Sequence, residues 1–406
     1  MNNRSHSSVY THTGIAVTPM MKDDKEKHDS ELLRQMHSLL IAFLFTGLDF
    51  RPHCAIECRP NVAYRETLIK ILLAVIHISS WVYVLVTIYG AITNGDRRPI
   101  KHSIANRLEE LLIILMRGVL YWRHKDIANT LNQLSNKYDK IKHKSKYLDK
   151  SAISVLVVVF PGVYILAYGL VILSFFAKGQ TEFMYFVRRR FSNVIPTTLS
   201  PYVYYLLCII DFVLLSVFNT TMCLFIILIL IICTTLSLIL KDFCKSINSF
   251  GATFKVLKRR HVVVMNTVKK VDKCLSFPLF IFLGFHIMLL FFVVAFFNSQ
   301  ENWVNGPSAV GIYFCAFFIV HLIQYFVIMT FAANVHEEVQ NIKTEVAKMD
   351  GRPTQLADVE QLLLIAKINN QSNICLTLCG FLNITKNFVF SSFGALLTFG
   401  VLLKDL

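Results

Sequence analysis

Charge is what this 406-residue chain has least of. Asp, Glu, Lys and Arg make up 17% of it, where a soluble domain carries about 25%. The shortfall falls in long uncharged blocks, and about 20 apolar residues in a row are enough to cross a bilayer. Length alone suggests two or three soluble domains; the blocks exclude that reading, because little soluble sequence is left between them. Other absences narrow the function. The first 30 residues hold no 7–15-residue apolar core, so no cleavable signal peptide is expected. Of ten cysteines, Cys208, Cys223, Cys233 and Cys315 lie inside apolar blocks, and segments 94–102, 178–200 and 298–307 have none. That is no disulfide framework. His53 to Cys58 resembles half a zinc site without its other half. No nucleophile–base pair, phosphate loop or metal set points to an enzyme, a metal or a cofactor. The net charge of +15 comes without any nucleic-acid-binding motif, so no nucleic-acid partner is expected. Its basic residues sit between the apolar blocks, where they suit anionic lipid and the cytoplasm.

Apolar residues make up 54% of the chain and the mean hydropathy is +0.53. The reading is an all-α polytopic membrane protein with seven spans, at about 67–93, 103–122, 151–177, 201–240, 277–297, 308–334 and 380–403. The fourth block would make about 60 Å of helix, twice the hydrocarbon thickness. Its middle offers only Asn219-Thr220-Thr221 for a hairpin, with no Gly or Pro. One long helix leaving the membrane is therefore expected, covered by helices from 241–272 and 340–375. Residues 31–48 read as a short amphipathic helix near the membrane surface. Segment 178–200, with Arg188, Arg189 and Arg190, reads as a polar loop. The domains are then 1–66, a cytoplasmic N-terminal region; 67–334, six spans with cytoplasmic helices 123–150 and 241–273; 335–379, cytoplasmic anchor helices; and 380–406, the last span. Lys and Arg number 29 on the side of the N-terminus against 8 on the other, at nearly equal density. The long polar N-terminus without a signal is the stronger argument for placing it in the cytoplasm.

The last span carries the most specific feature. It reads Leu376-Thr377-Leu378-Cys379-Gly380-Phe381-Leu382-Asn383, then Ser391-Ser392-Phe393-Gly394-Ala395, then Thr398-Phe399-Gly400-Val401-Leu402-Leu403-Lys404-Asp405-Leu406. This resembles the last helix of insect gustatory receptors, whose signature is Thr-Tyr, five mostly apolar residues and Gln-Phe. Thr398 matches; Phe399 stands for the tyrosine, Asp405-Leu406 for Gln-Phe, and Lys404 interrupts the apolar five. Span count, chain length and the long fourth block also fit, so the resemblance extends over nearly the whole chain. The family is similar in architecture to the insect odorant-receptor co-receptor. The resemblance implies a homotetrameric ligand-gated cation channel in the plasma membrane of chemosensory neurons, with the N-terminus inside. It implies that four last helices line one pore, that the cytoplasmic helices hold the subunits together, and that a ligand pocket lies in the outer half of the first six spans. Related receptors are alternative partners to identical copies. The degenerate ending favours the divergent bitter-type group, with a small-molecule tastant, over sugar receptors, which keep the signature. A G-protein-coupled receptor would also have seven spans, but its Asp-Arg-Tyr and Asn-Pro-x-x-Tyr motifs are missing.

If the register holds, Leu402, Asp405 and Leu406 face the pore axis. Leu402 would form a hydrophobic constriction and four Asp405 side chains an acidic ring for permeating cations. Asn383, Thr385, Asn387, Ser391 and Ser392 either wet the pore wall or bond to neighbouring helices. Ionisable groups inside spans are costly and face a cavity or a partner. That singles out Asp211 in the fourth helix, Glu109 and Glu110 in the second, and His286 and His321 in the fifth and sixth. Tyr83, Tyr168, Tyr205 and Tyr313 add aromatic surface with polar tips. Together they suit an amphipathic small molecule, an amine in particular, held by a carboxylate and ring faces. The competing possibility for each carboxylate is an internal ion pair, for instance with Arg117.

Overall fold

The computed structural model describes residues 30–51, 60–93, 100–141, 149–191, 195, 200–247, 254–299, 309–348, 358–369 and 375–402. Seven helices coincide with the predicted spans: α3 (Pro60–Thr93), α4 (Ile100–Trp122), α6 (Lys150–Ala177), α8 (Pro201–Ile247), α9 (Phe254–Ser299), α10 (Ala309–Ala347) and α12 (Lys386–Leu402). Among the described residues, five of these (α3, α6, α8, α9 and α10) carry a stretch long and apolar enough to cross a membrane, and α4 carries a shorter apolar stretch, Leu111–Trp122. Shorter helices fill the connections: α1 (Glu31–Gln35), α2 (His37–Phe45), α5 (His124–Tyr138), α7 (Gln180–Arg190) and α11 (Asp358–Asn369).

Apolar residues point outward as well as inward, as a lipid solvent requires. On α3, Leu68, Ile71, Val75, Ile78, Val82 and Leu85 recur at three- and four-residue steps and are all exposed. They form one helical face. Val155, Val158, Val159, Leu166, Leu170 and Leu173 do the same on α6. A water-soluble protein rarely exposes apolar faces of this extent.

α8 is the axis. Its 47 residues make about 70 Å of continuous helix at 1.5 Å each, so the fourth block is one helix and not a hairpin. Three of its threonines bond within the helix and leave it unbroken. The hydroxyls of Thr221, Thr234 and Thr235 donate to the carbonyls of Val217, Leu230 and Ile231 at 2.8, 2.7 and 2.7 Å. Residues Leu224–Ile229 are buried on all sides. The cover comes from α10, α6, α5, α2 and α9. Of the cover expected from 241–272 and 340–375, α9 supplies the first, with His261 5.9 Å from Phe243, whereas α11, from the second, packs on α9 and α10.

Three further expectations change. Residues 31–45 form two short helices rather than one, and these pack into the protein: Leu32, Met36, Leu39 and Phe43 are fully buried, and α1 and α2 pack on α5, α6 and α8. Segment 178–200 is not all loop. Gly179, at φ 110, ends α6 and starts α7, and the four-residue spacing of Phe183 and Val187 buries one face of α7. Arg188 on its other side donates to Ile195 O at 3.3 Å. The last helix starts at Lys386 rather than near 380. Before it runs a small antiparallel hairpin, β1 (Thr377–Leu378) with β2 (Leu382–Asn383), which takes Asn383 out of the helix. The turn places Cys379 at φ 51 and Gly380 at φ 79, a left-handed pair that cannot continue a right-handed helix. Asp272 on α9 fixes the hairpin: it accepts from Thr377 N at 2.6 Å and from its hydroxyl at 2.9 Å.

A carboxylate cage, a histidine network and the root of the last helix

Asp211 sits ten residues past the start of the 47-residue α8, on a face that meets α3 and α6. It is 2% exposed. Its two carboxylate oxygens accept from two different helices, Oδ1 from the Tyr83 hydroxyl on α3 and Oδ2 from the Tyr168 hydroxyl on α6. A buried carboxylate is costly unless it is hydrogen-bonded, and the two phenols answer that need. Rings close the surroundings. Phe212 stacks on Tyr168 at 6.1 Å and 9°, while Phe191 and Phe218 meet Tyr83 edge-on at 5.9 and 6.3 Å. Tyr83 is buried and Tyr168 half-buried, so the cage is reached from the Tyr168 side. Three of the sequence-predicted ligand residues thus converge.

Tyr205 does not join them. It stacks on Phe183 of α7 at 5.2 Å, beside Phe176. Glu109 and Tyr313 lie on α4 and α10, but their side chains are outside the described residues, as is that of Leu402 on α12; Asp405 and Leu406 lie outside them altogether. For Asp211 the competing possibility, an ion pair with Arg117, is not what forms among the described residues; Arg117 has neutral partners. Its guanidinium, also 2% exposed, donates to Ser80 Oγ at 2.8 Å and to Thr46 O at 2.7 Å, and lies 5.4 Å over the Phe218 ring. Phe218 therefore separates Arg117 from the Tyr83–Asp211 bond.

His286 belongs to a second cluster. Its Nδ1 lies 3.0 Å from Phe282 O and its Nε2 3.0 Å from Gln324 Oε1. Gln324 Nε2 is 2.8 Å from the Tyr164 hydroxyl, which lies 3.4 Å from His321 Nε2. Both ring nitrogens of His286 face oxygen, and a neutral ring has only one N–H. The neutral state therefore requires the Gln324 amide turned end for end, its nitrogen toward His286 and its oxygen accepting from Tyr164. The chain of bonds ties α9, α10 and α6 together. Tyr164 is one turn from Tyr168, so α6 belongs to both clusters. Sequence reasoning found the two histidines but missed Tyr164 and Gln324. The available signal was His321 and Gln324 at i, i+3, two polar side chains on one face of an apolar helix.

The next residue on α10 turns to the last helix. The Tyr325 and Ser392 hydroxyls share a hydrogen bond, and Phe326 meets Phe393 edge-on at 4.9 Å. Lys386 pairs with Glu337 of α10 at the start of α12. Gln324 and Tyr325 thus join the histidine network and α12 through one stretch of α10. Ser391, by contrast, is exposed. With Asn387, Gly394, Ala395 and Thr398 it forms an open face of small and polar residues. Among the described residues, no group of three or more His, Cys, Asp or Glu could hold a metal.

The sequence matches the family described as 7tm Chemosensory receptor over residues 34–403. No curated protein matches it by sequence. Solved structures similar to it include the insect olfactory receptor OR5 from Machilis hrabei in complex with eugenol, with a TM-score of 0.68 and 15% identity over 92% of this chain and 98% of that one. The same receptor without that ligand gives a TM-score of 0.63 at the same identity and coverage. At this identity the likeness speaks for the fold.

Proposed function

The chain belongs to the seven-transmembrane chemosensory receptor family, and we propose that it is a gustatory receptor acting as a tastant-gated, non-selective cation channel. In this reading it is a homotetramer, or an assembly with related receptors, in the plasma membrane of chemosensory neurons with its N-terminus inside. Its ligands are bitter or plant secondary compounds, amines among them. The family supports a receptor; the solved relative, by its name, is an olfactory receptor that takes the small molecule eugenol. The altered ending at Phe399, Lys404 and Asp405 favours the bitter-type group.

The observation that carries the ligand assignment is the Asp211 cage. A carboxylate buried within a span, with phenol hydroxyls on both oxygens, is a site an ammonium group can enter. It displaces the Tyr168 hydroxyl, gains a full opposite charge in a weakly screened setting, and keeps ring faces on two sides. Movement of Tyr168 pulls on α6, which shares the Tyr164–Gln324 bonds with α10, and Tyr325 passes the shift to α12. The exposed face of α12 from Asn387 to Thr398 is the pore-facing side, with Leu402 and Asp405 beyond it.

Cells expressing the chain alone, screened with a tastant panel, are expected to give ligand-evoked cation currents. Signalling without current in purified bilayers would sink the channel reading and favour a G-protein-coupled mechanism, in which the N-terminus would face outward. In the same cells Asp405→Asn is expected to lower cation conductance or divalent block; no change in either places Asp405 off the permeation path.

A further inference from the structure

A cavity of about 780 Å³ opens between α6, α8 and α10, far from the Asp211 cage. It lies at the end of α6 where the apolar sequence begins. Asp149 caps that helix by accepting from Ser151 N at 3.1 Å, and Leu156, two turns on, lines the cavity wall. The boundary between hydrocarbon and water therefore runs through it.

Its two ends differ in chemistry. One is apolar, built from Leu156, Ile227, Ile231 and Phe331. It is continuous with the exposed face of Val155, Val158 and Val159 that α6 presents to lipid. The other is charged with both signs: Asp149, Lys241, Asp242, Lys245 and Glu338. Lys241 lies 3.4 Å from Glu338. Among the described residues, neither Asp242 nor Lys245 has an ion-pair partner.

We propose that this crevice binds one phospholipid of the adjacent leaflet whose headgroup carries both a phosphate and an ammonium. The acyl chain follows the outward face of α6 into the apolar end. The phosphate meets Lys245, and the ammonium meets Asp242 and Asp149. The volume falls within the range of small-molecule sites, about 300–1,000 Å³. A soluble anion or a polar peptide would leave the apolar wall wet. A lipid with only negative charge would place that charge against three carboxylates, with two lysines to answer them, and leave Asp149 and Asp242 uncompensated. A headgroup of both signs answers both.

The test uses the full-length chain in dodecyl maltoside micelles, which hold no lipid of this class, doped with a phosphatidylethanolamine bearing a photoreactive diazirine in its acyl chain. Adducts are mapped by mass spectrometry. Labelling within 227–238 is diagnostic, because Ile227 and Ile231 are buried from bulk lipid. The expected result is labelling there as well as at 152–160. Unlabelled phosphatidylethanolamine should compete at least five-fold better than phosphatidylglycerol. Ser237→Trp, which fills the crevice, should cut labelling of 227–238 at least five-fold and leave the α3 face at 68–85 unchanged. Asp242→Lys should shift the preference toward phosphatidylglycerol. Equal labelling of every outward face with no headgroup preference means annular lipid only and overturns the proposal. So does the absence of label from 227–238, which means that protein, such as a neighbouring subunit, covers the crevice. The wild-type competition decides the matter even if a variant misfolds.

Discussion

Asp211→Asn separates the charge of the cage from its shape. The amide is isosteric with the carboxylate. One tyrosine can still donate to its oxygen, and the other can turn its hydroxyl to accept from its nitrogen. What is lost is the negative charge. For folding, two charge-assisted bonds of about 1.5–3 kcal/mol become neutral bonds of about 0.5–1.5 kcal/mol. The mutation also removes the cost of holding a bare charge away from water. The two changes oppose each other, so expression and melting temperature should stay near wild type. A cationic agonist loses its counter-charge outright. At about 1.5–3 kcal/mol for a charge-assisted contact, and 1.4 kcal/mol per factor of ten, its half-maximal concentration should rise roughly 10- to 150-fold. A neutral analogue of the same shape should shift by less than about five-fold. Whole-cell dose–response curves for the matched pair measure both. Equal shifts for amine and analogue would mean that Asp211 only supports the packing of α3, α6 and α8. No shift for either would mean that the ligand does not reach the cage.

Three more outcomes follow from the geometry. Tyr325→Phe and Ser392→Ala each delete the hydroxyl bond between α10 and α12. Each should change the open–closed equilibrium about five-fold, for about 1 kcal/mol, with ligand affinity unmoved; the double variant should match the singles in single-channel open probability, and additive effects would refute a shared bond. Gln324→Leu removes the side chain that His286 Nε2 faces and one of the bonds of the Tyr164 hydroxyl, which keeps His321; at about 1–3 kcal/mol for the orphaned His286 nitrogen, it should lower the melting temperature of the purified receptor by several degrees, and an unchanged melting curve would show the network to be dispensable. Outside the spans, burial and then the nearby Asp272 push the Cys375 thiol up to about 11. Its thiolate, the reactive form, is then scarce at pH 8, roughly 200-fold scarcer than for a free cysteine of pKa about 8.5. Alkylation of Cys375 should rise about ten-fold per pH unit well below 11, and fast labelling at neutral pH would contradict the burial.

The spans were legible because a membrane imposes a one-dimensional rule: an apolar run must be long enough, whatever it later packs against. The unbroken α8 was legible for a related reason, since nothing in Asn219-Thr220-Thr221 can turn a chain by itself. The hairpin before α12 was not. Leu376 to Asn383 is as apolar as the helix that follows, and only the bonds from Thr377 to Asp272, more than 100 residues away, select the turn. Helix α7 was missed for the opposite reason: its sequence is polar, and its buried face exists only because α6 and α8 are there to cover it.

The functional residues divide in the same way. An acid, two histidines and several tyrosines inside apolar blocks are conspicuous in the sequence, because each costs free energy in hydrocarbon and so calls for a partner. Sequence alone therefore determined that these residues call for partners, how many helices cross, and, through Thr398 and the spacing after it, which family the ending resembles. It could not determine who partners whom. Asp211 is 128 positions from Tyr83 and 43 from Tyr168, and nothing local favours those phenols over Arg117 as its partner. That choice was made by the packing of α3, α6 and α8, which brings two hydroxyls to the carboxylate and puts the Phe218 ring between it and the guanidinium.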